Sequence, residues 1–314
     1  MELSIVIQSI AIIYLMILIG AALSKTFSFN EDTRGVFISL IVNIAMPSII
    51  LSSIFNVKMD DDTFSTIILV FLLSILINVV GIGVGWLLSF TFYNKSNKHV
   101  ELALLAGLGN TGFIGIPLCA VLIGPEGALY AAIFDAGVDF TIWTVGVLML
   151  QKGKSIGLQT FKSMINIPLV SIFVGLIISY FHYRPPALII NLVDQLSALA
   201  APLAMFYIGI LVMTLKFSKV KESGLKVWIP ISVKLMMLPA LVALLIGYFH
   251  LNMTIVQTVL IQSMMPTLTL ASILFAKYSA DKDMGAITTV LATVLALLTI
   301  PVIIYILTYF SLFT

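Results

Sequence analysis

Two aspartates lie inside the apolar stretch ALYAAIFDAGVDFTIWTVGVLML, where charged side chains are costly. Asp135 and Asp139 are four residues apart, so a helix places both carboxylates on one face. At the middle of a membrane each charge costs about 2.5–3.5 kcal/mol on insertion scales, and two ionised carboxylates on one face also repel each other. This chemistry suits groups that load and release a proton or jointly bind a cation; the alternative for Asp135 is simple hydration near the outer surface.

A second stretch with polar residues inside an apolar run is GLGNTGFIGIP, residues 107–117. Its glycines match the G-x-G-x-x-G pattern of dinucleotide-binding loops. That function requires a preceding strand in a soluble βαβ unit, whereas these glycines lie inside an apolar run. Pro117 removes a backbone N–H, and the glycines lower the cost of unwinding a helix. Asn110 and Thr111, beside Gly112, offer donors and acceptors where lipid has none. We therefore predict an unwound binding segment, with close helix packing as the alternative.

The composition indicates that lipid is the main solvent of the chain. Of the 314 residues, 61% are hydrophobic and only 10% are charged, against roughly 25% in soluble domains. The net charge of +2 gives no reason to expect a nucleic-acid partner. The single cysteine, Cys119, excludes a disulfide within the chain and fits no metal-ligand spacing, so no cofactor is expected.

Ten apolar runs are long enough to cross a bilayer, which takes about 20 residues each, and all must be helical because lipid cannot satisfy an open backbone. These runs, named helices 1 to 10, cover residues 3–24, 35–54, 64–92, 100–122, 127–150, 161–181, 187–215, 226–249, 254–276 and 284–310. Alternate connections hold thirteen lysines and arginines on one side and only Lys58 and Arg184 on the other. This bias predicts that both termini face outside in the cell membrane, and the lysine-rich composition favours a bacterial source.

The ten helices divide into two halves of five, residues 1–151 and 161–314, joined by a cytoplasmic linker at 152–160. An odd number of helices in each half predicts inverted repeats. Interruptions recur at equivalent places: Pro47 and Pro202 interrupt helices 2 and 7, while NTGFIGIP and MMPTLT interrupt helices 4 and 9. Matching interruptions in two halves are typical of a transporter binding site.

The break in helix 9 lies in QSMMPTLTL, residues 262–270, and includes Met265, Pro266 and Thr267. Helix 4 enters the membrane from inside and helix 9 from outside, so their breaks can cross near the midplane. Two half-helix N-termini would then point into one site, and their partial positive charges favour an anion such as a carboxylate.

Four segments resemble the auxin efflux carrier family, which includes plant auxin carriers and bacterial malate or malonate permeases. They are NIAMPSIIL (43–51), GNTGFIGIPL (109–118), KLMMLPAL (234–241) and MMPTLTLAS (264–272). The resemblance covers the whole chain, and the segment around Asn110 is the most specific of the four.

The resemblance implies an all-helical fold like that of bile-acid symporters and NhaA. Helices 1, 2, 6 and 7 would form a scaffold, often the face of a homodimer, and helices 3–5 and 8–10 would form a transport domain that moves like an elevator. The family pattern also maps the substrate site onto Asn110, Thr111, Pro117 and Pro266.

Two further polar residues lie inside predicted helices and have alternative roles. Lys234, about eight residues into helix 8, could neutralise an aspartate of helix 5, bind a substrate carboxylate or snorkel to the cytoplasmic surface. Asn43 could line the substrate path or repair the backbone that Pro47 opens.

The sequence thus predicts a secondary transporter for a small organic anion such as malate, malonate or an auxin-like acid, coupled to protons or sodium ions if coupling exists. The alternative is a cation/proton antiporter on the same fold, with Asp135, Asp139 and Lys234 as the ion site. No enzyme is expected, because the spans contain no H-E-x-x-H motif and no serine–histidine pair.

Overall fold

The computed structural model describes residues 3–92, 98–151, 165–214, 224–248 and 251–309, and across these ranges all regular structure is helical. Six helices are long and apolar enough to cross a membrane: 32–56, 61–92, 125–150, 187–213, 228–246 and 282–309. Shorter apolar helices lie in the remaining predicted runs, at 11–23, 111–122, 167–180 and 253–263. The predicted linker at 152–160 lies outside the described residues. The chain is therefore a polytopic, all-helical membrane protein.

The helices are assembled from the following segments. Helix 1 is Leu3–Leu23; helix 2 is Glu31–Leu40, Ile41–Ala45 and Met46–Asn56; helix 3 is Asp61–Phe92; helix 4 is His99–Gly107, Thr111–Gly115 and Ile116–Leu122; helix 5 is Pro125–Thr141, Ile142–Gly146 and Val147–Leu150. Helix 6 is Ile167–Tyr180; helix 7 is Ala187–Ser197 and Ala200–Met213; helix 8 is Gly224–Val227, Trp228–Ser232, Val233–Met237 and Leu238–Ile246; helix 9 is Met253–Ser263 and Ala271–Lys277; helix 10 is Lys282–Tyr309.

Three prolines inside helices are each preceded by a wide π-helical turn. The turns Ile41–Ala45, Thr111–Gly115 and Val233–Met237 each end two residues before a proline, at Pro47, Pro117 and Pro239. A proline ring cannot fit against the carbonyl one turn earlier and donates no hydrogen bond, so the preceding turn widens. Helix 2 therefore continues through Pro47, whereas helix 4 is broken just before its π turn.

Packing places helices 4, 5 and 9 at the centre of the protein. Nearly every residue of 102–119, 128–134 and 255–267 is buried. Helices 1, 3, 6, 7 and 10 surround them and carry exposed leucines and phenylalanines such as Leu18, Leu72, Phe173, Leu188 and Leu298. An apolar exterior of this extent is what a lipid environment requires.

The surrounding helices pair in a definite order. Helix 1 packs on the second half of helix 7, while helix 6 and the first half of helix 7 pack on helix 2. Helix 3 packs chiefly on helices 4 and 5, and helix 9 packs on helix 5. Helix 2 also packs on helix 5, so the group formed by helices 1, 2, 6 and 7 contacts the central helices there.

An ion pair joins the beginnings of helices 4 and 10. Lys98 is the residue before helix 4, and its ammonium group donates to the carboxylate of Asp281, the residue before helix 10. Burial raises the pKa of Asp281, but hydrogen bonds from Lys98 and the Met284 N–H, together with the Lys98 charge, outweigh burial and hold that pKa below its usual value of 3.8.

We predict that Asp281→Asn lowers the thermal unfolding temperature at pH 7. An ion pair that is about one-third exposed contributes about 0.2–1 kcal/mol, so a shift of a few degrees or less is expected. Because the folded-state pKa is lowered, this stabilisation is present above pH 3.8 and disappears as the pH falls through the lowered pKa. Unfolding in detergent across this pH range tests the prediction, and a difference that persists at the acid end would contradict it.

We also predict that Gly209→Ala destabilises the contact between helices 1 and 7. An added Cβ at Gly209 would collide with the backbone carbonyl of Ile17, which cannot move aside as a side chain could. Overpacking of this kind costs about 1–3 kcal/mol. The matched control is Gly83→Ala, since nothing lies within 4 Å of a Cβ built at Gly83. Equal unfolding temperatures for the two variants would show that the contact is looser than described.

Candidate functional site at the crossing of helices 4 and 9

The breaks in helices 4 and 9 meet and pair through their backbones. The Asn110 N–H donates to the Pro266 carbonyl at 2.7 Å, and the Leu268 N–H donates to the Leu108 carbonyl at 3.1 Å. Gly109 and Thr267 face each other between these bonds in an antiparallel bridge. Since unpaired backbone groups are costly in a buried, lipid-surrounded interior, each break supplies the partners that the other lacks.

Asp135 of helix 5 lies at the point where helix 4 resumes. Its carboxylate accepts a hydrogen bond of 2.5 Å from the Thr111 hydroxyl and another from the Gly112 N–H. A Cβ on Gly112 would lie 2.6 Å from Asp135 Oδ2, so only glycine permits this approach. The positive end of the second half of helix 4, which the sequence predicted would face a substrate anion, therefore already faces a carboxylate of the protein.

Asp139, one turn further along helix 5, is hydrogen-bonded to Asn166, the residue that precedes helix 6. Asn166 Nδ2 donates to Asp139 Oδ2 at 2.6 Å, while Asn166 Oδ1 accepts the Leu169 N–H at 2.8 Å and caps helix 6. The cap fixes which end of the amide faces Asp139. Sequence reasoning missed Asn166 because it began helix 6 at residue 161; the pattern Asn-x-Pro at 166–168 is the signal of a capped helix start.

A cavity of about 210 Å³ opens beside these groups. It is lined by four elements besides the break in helix 4: Val42 and Met46 from helix 2, Asp135, Val138, Asp139 and Trp143 from helix 5, Asn166 and Pro168 at the start of helix 6, and Leu268–Leu270 from the break in helix 9. The charged side chains of this lining are the two aspartates.

The structure brings together some of the predicted site residues and separates others. Asn110, Thr111, Gly112, Asp135 and Asp139 all line the cavity. Thr267 and Met265 are fully buried beside it, and the Thr267 hydroxyl has no hydrogen-bond partner among the described residues. Pro117 is buried in helix 4, and Pro266 lines a separate apolar cavity of about 40 Å³ between helices 1, 7 and 10.

Asn43 lies apart from this group. Its side chain is exposed, and its Nδ2 donates to Ser39 Oγ at 3.0 Å. The neighbouring Val42 and Met46 line the cavity in its place. The rotation of helix 2, which the sequence leaves open, decides which residues face inward.

Lys234 is buried on the π turn of helix 8, with only 2% of its surface exposed. Its Nζ lies 3.4 Å from the Gly107 carbonyl, at the end of the first half of helix 4. No carboxylate of the described residues lies within 4 Å of that nitrogen. The described geometry contains neither an ion pair with helix 5 nor a side chain that reaches the surface.

The described residues contain no cluster of three or more His, Cys, Asp or Glu side chains that could hold a metal ion. What the site offers is a small cavity, a pair of carboxylates, the Asn110 amide, and the hydroxyls of Thr111 and Thr269. Together with crossed helix breaks inside an apolar helical shell, these features define a membrane protein with a small cavity at its centre, lined by two carboxylates and by apolar residues.

Comparison with known proteins places the chain in a family. A family model described as "Membrane transport protein" matches residues 5–304, so the chain belongs to this family, the auxin efflux carrier family that its motifs resemble. The predicted family is thereby confirmed.

Three relatives carry transporter names. An "Uncharacterized transporter" of Methanothermobacter thermautotrophicus is 23% identical over 94% of this chain and 96% of its own. An "Uncharacterized transporter" of Methanocaldococcus jannaschii is 27% identical over 64% of this chain and 67% of its own. A protein of Rhizobium meliloti named "Putative malonate transporter" is 21% identical over 92% of both chains.

We predict that Asn166 stabilises the structure through two separable bonds. Asn166→Ser keeps a helix cap but loses the bond to Asp139, which costs about 1.5–3 kcal/mol for a bond to a charged group. Asn166→Ala also loses the cap, a further cost of about 1 kcal/mol. In detergent, the unfolding temperature should be highest for the wild type, lower for Asn166→Ser and lowest for Asn166→Ala.

The matched control is Asn252→Ala, which removes only the cap that Asn252 Oδ1 provides to the Thr254 N–H. It should cost about 1 kcal/mol. If Asn166→Ser unfolds at the wild-type temperature, the bond to Asp139 contributes nothing to stability.

Proposed function

We propose that the protein is a secondary transporter that carries a small organic anion, such as malate, malonate or an auxin-like acid, through the cavity at the crossing, together with protons. The observation that carries this proposal is the placement of Asp135 and Asp139 in the same cavity as Asn110, Thr111 and the break in helix 9. Membership of a membrane transport family and a relative named for malonate transport support it.

The charge of the cavity is the reason to propose proton coupling. A carboxylate substrate that enters beside two ionised aspartates is repelled by both, and buried like charges interact strongly because little water screens them. Protonation of one or both aspartates removes the repulsion. Binding of the acid and binding of protons would then favour each other, which is the thermodynamic condition for symport. A sodium ion between the aspartates is the alternative way to neutralise them.

For the topology we propose ten membrane-spanning helices in two inverted halves, residues 1–151 and 161–314, with both termini outside. The antiparallel pairing of the two breaks is the arrangement expected of elements related by an axis in the membrane plane. The excess of lysine and arginine on one side supports the orientation.

For the movement we propose an elevator in which helices 3–5 and 8–10 slide against helices 1, 2, 6 and 7, the latter also forming the face of a homodimer. The mutual packing of helices 1 and 7 and of helices 2 and 6 supports this division. The cavity lies between Val42 and Met46 on one side and helices 4, 5 and 9 on the other, at the proposed boundary.

The second candidate function is a cation/proton antiporter. The observation that favours it is that the two aspartates are the charged side chains of the cavity lining. In that function the aspartates would bind a cation and protons in competition, and no organic acid would be carried.

We predict that proteoliposomes take up radiolabelled malonate, malate or indole-3-acetate in a saturable manner, faster with an inward proton gradient. Asn110→Ala should reduce uptake at least tenfold, because it removes the amide nearest the crossing. Asp135→Asn and Asp139→Asn mimic protonated side chains, so they should keep binding and lose the stimulation by the proton gradient.

Matched controls are Asn191→Ala and Asp62→Asn, both of exposed residues away from the cavity, which should behave like wild type. If none of the acids moves but sodium is exchanged for protons in an Asp139-dependent manner, the antiporter is the function. Gradient-stimulated uptake that survives in both aspartate variants would contradict their coupling role.

A further inference from the structure

Lys234 places an amino group in the interior that the proposed coupling by aspartates does not use. It is fully enclosed by protein on helix 8, and its nearest described polar partner is the Gly107 carbonyl at 3.4 Å. A buried ammonium group without a carboxylate partner is costly, so its retention calls for a function or a compensating field.

The backbone at Gly109 lies against the Lys234 side chain and also lines the cavity. A Cβ built on Gly109 would lie 2.9 Å from both Nζ and Cε of Lys234. Gly109 also lines the cavity and pairs with Thr267. Because residue 109 has no side chain, the end of the Lys234 side chain can lie against the Gly109 backbone, which forms part of the cavity wall.

The first half of helix 4 offsets part of the cost of burying a positive charge at Lys234. This half ends at Gly107, so the ammonium group faces the negative end of that half-helix, as Asp135 faces the positive end of the second half. This contact holds Lys234 in place but leaves its charge free to act on the cavity, since fields extend further in a poorly screened interior than in water.

We infer that Lys234 is a specificity-determining residue: from behind the Gly109 backbone it supplies the positive potential that makes the cavity attract small anions in preference to cations. It does so without touching the cargo. The inference rests on the proposed use of this cavity for solutes, and it explains how a lining that contains two carboxylates can receive an acid.

The test measures the potential in the cavity directly, with thiol reagents of opposite charge. Leu268→Cys places a thiol in the cavity wall, in a Cys119→Ala background that removes the one native thiol. The rates of reaction with anionic sulfonatoethyl and cationic trimethylammonioethyl methanethiosulfonate are measured, and an uncharged methyl reagent corrects for access.

Replacing the lysine by neutral residues should lower the ratio of anionic to cationic rates by about tenfold or more, as expected for one poorly screened charge at this range. Lys234→Met and Lys234→Gln should both do so, and Lys234→Arg should keep the wild-type ratio. Gly109→Ala provides a second way to the same result, because its Cβ pushes the ammonium group away without removing it.

The matched control is Asn78→Leu, since Asn78 of helix 3 is also a buried polar residue and its backbone carbonyl lies next to the same Gly107, but its side chain is neutral. It should leave the ratio unchanged. The inference is overturned if the ratio of anionic to cationic reaction rates is unchanged in folded Lys234→Met, Lys234→Gln or Gly109→Ala variants. A lowered ratio without uptake of any tested acid leaves the role of Lys234 standing and contradicts the proposed anion transport, so the two failures are distinguishable.

Discussion

The structure depends on one constraint: two helices are broken in a mainly apolar interior, and each must find partners for its unpaired backbone groups. Helices 4 and 9 satisfy it mutually through the bonds from Asn110 to Pro266 and from Leu268 to Leu108. Because both breaks need each other, they must lie at the same depth and cross in opposite directions. The burial of helices 4, 5 and 9, and the tight fit of Gly109 at the crossing, follow from this requirement.

The broken helix 4 also determines where buried charge can exist. Its first half ends with a negative pole next to Lys234, and its second half begins with a positive pole next to Asp135. Each charge is stabilised by the pole it faces, so both are tolerated without an ion pair between them. In our account the aspartates exchange protons and Lys234 biases the cavity towards anions. A cavity with two aspartates in its lining and Lys234 next to Gly109 can respond to the charge of its cargo, which an apolar cavity could not.

Much of this arrangement follows from the sequence. The apolar runs, the breaks at NTGFIGIP and MMPTLT, and the shared face of Asp135 and Asp139 all depend on local chemistry, because proline, glycine and the helical repeat act within a few residues. The remainder depends on how the helices are rotated and where they begin. Asn43 and Val42 are neighbours, yet only packing decides that Val42 faces the cavity. Asn166 acquires its role from the start of helix 6, which a hydropathy pattern places several residues too early.

The most direct test of the central claim is a high-resolution structure of the protein in lipid nanodiscs with malonate bound at saturating concentration. The account predicts density for the acid in the cavity beside Asn110 and Thr269, with the backbone pairing of the crossed breaks intact. Density for the acid elsewhere, or a cation between Asp135 and Asp139 with no acid in the cavity, would contradict it.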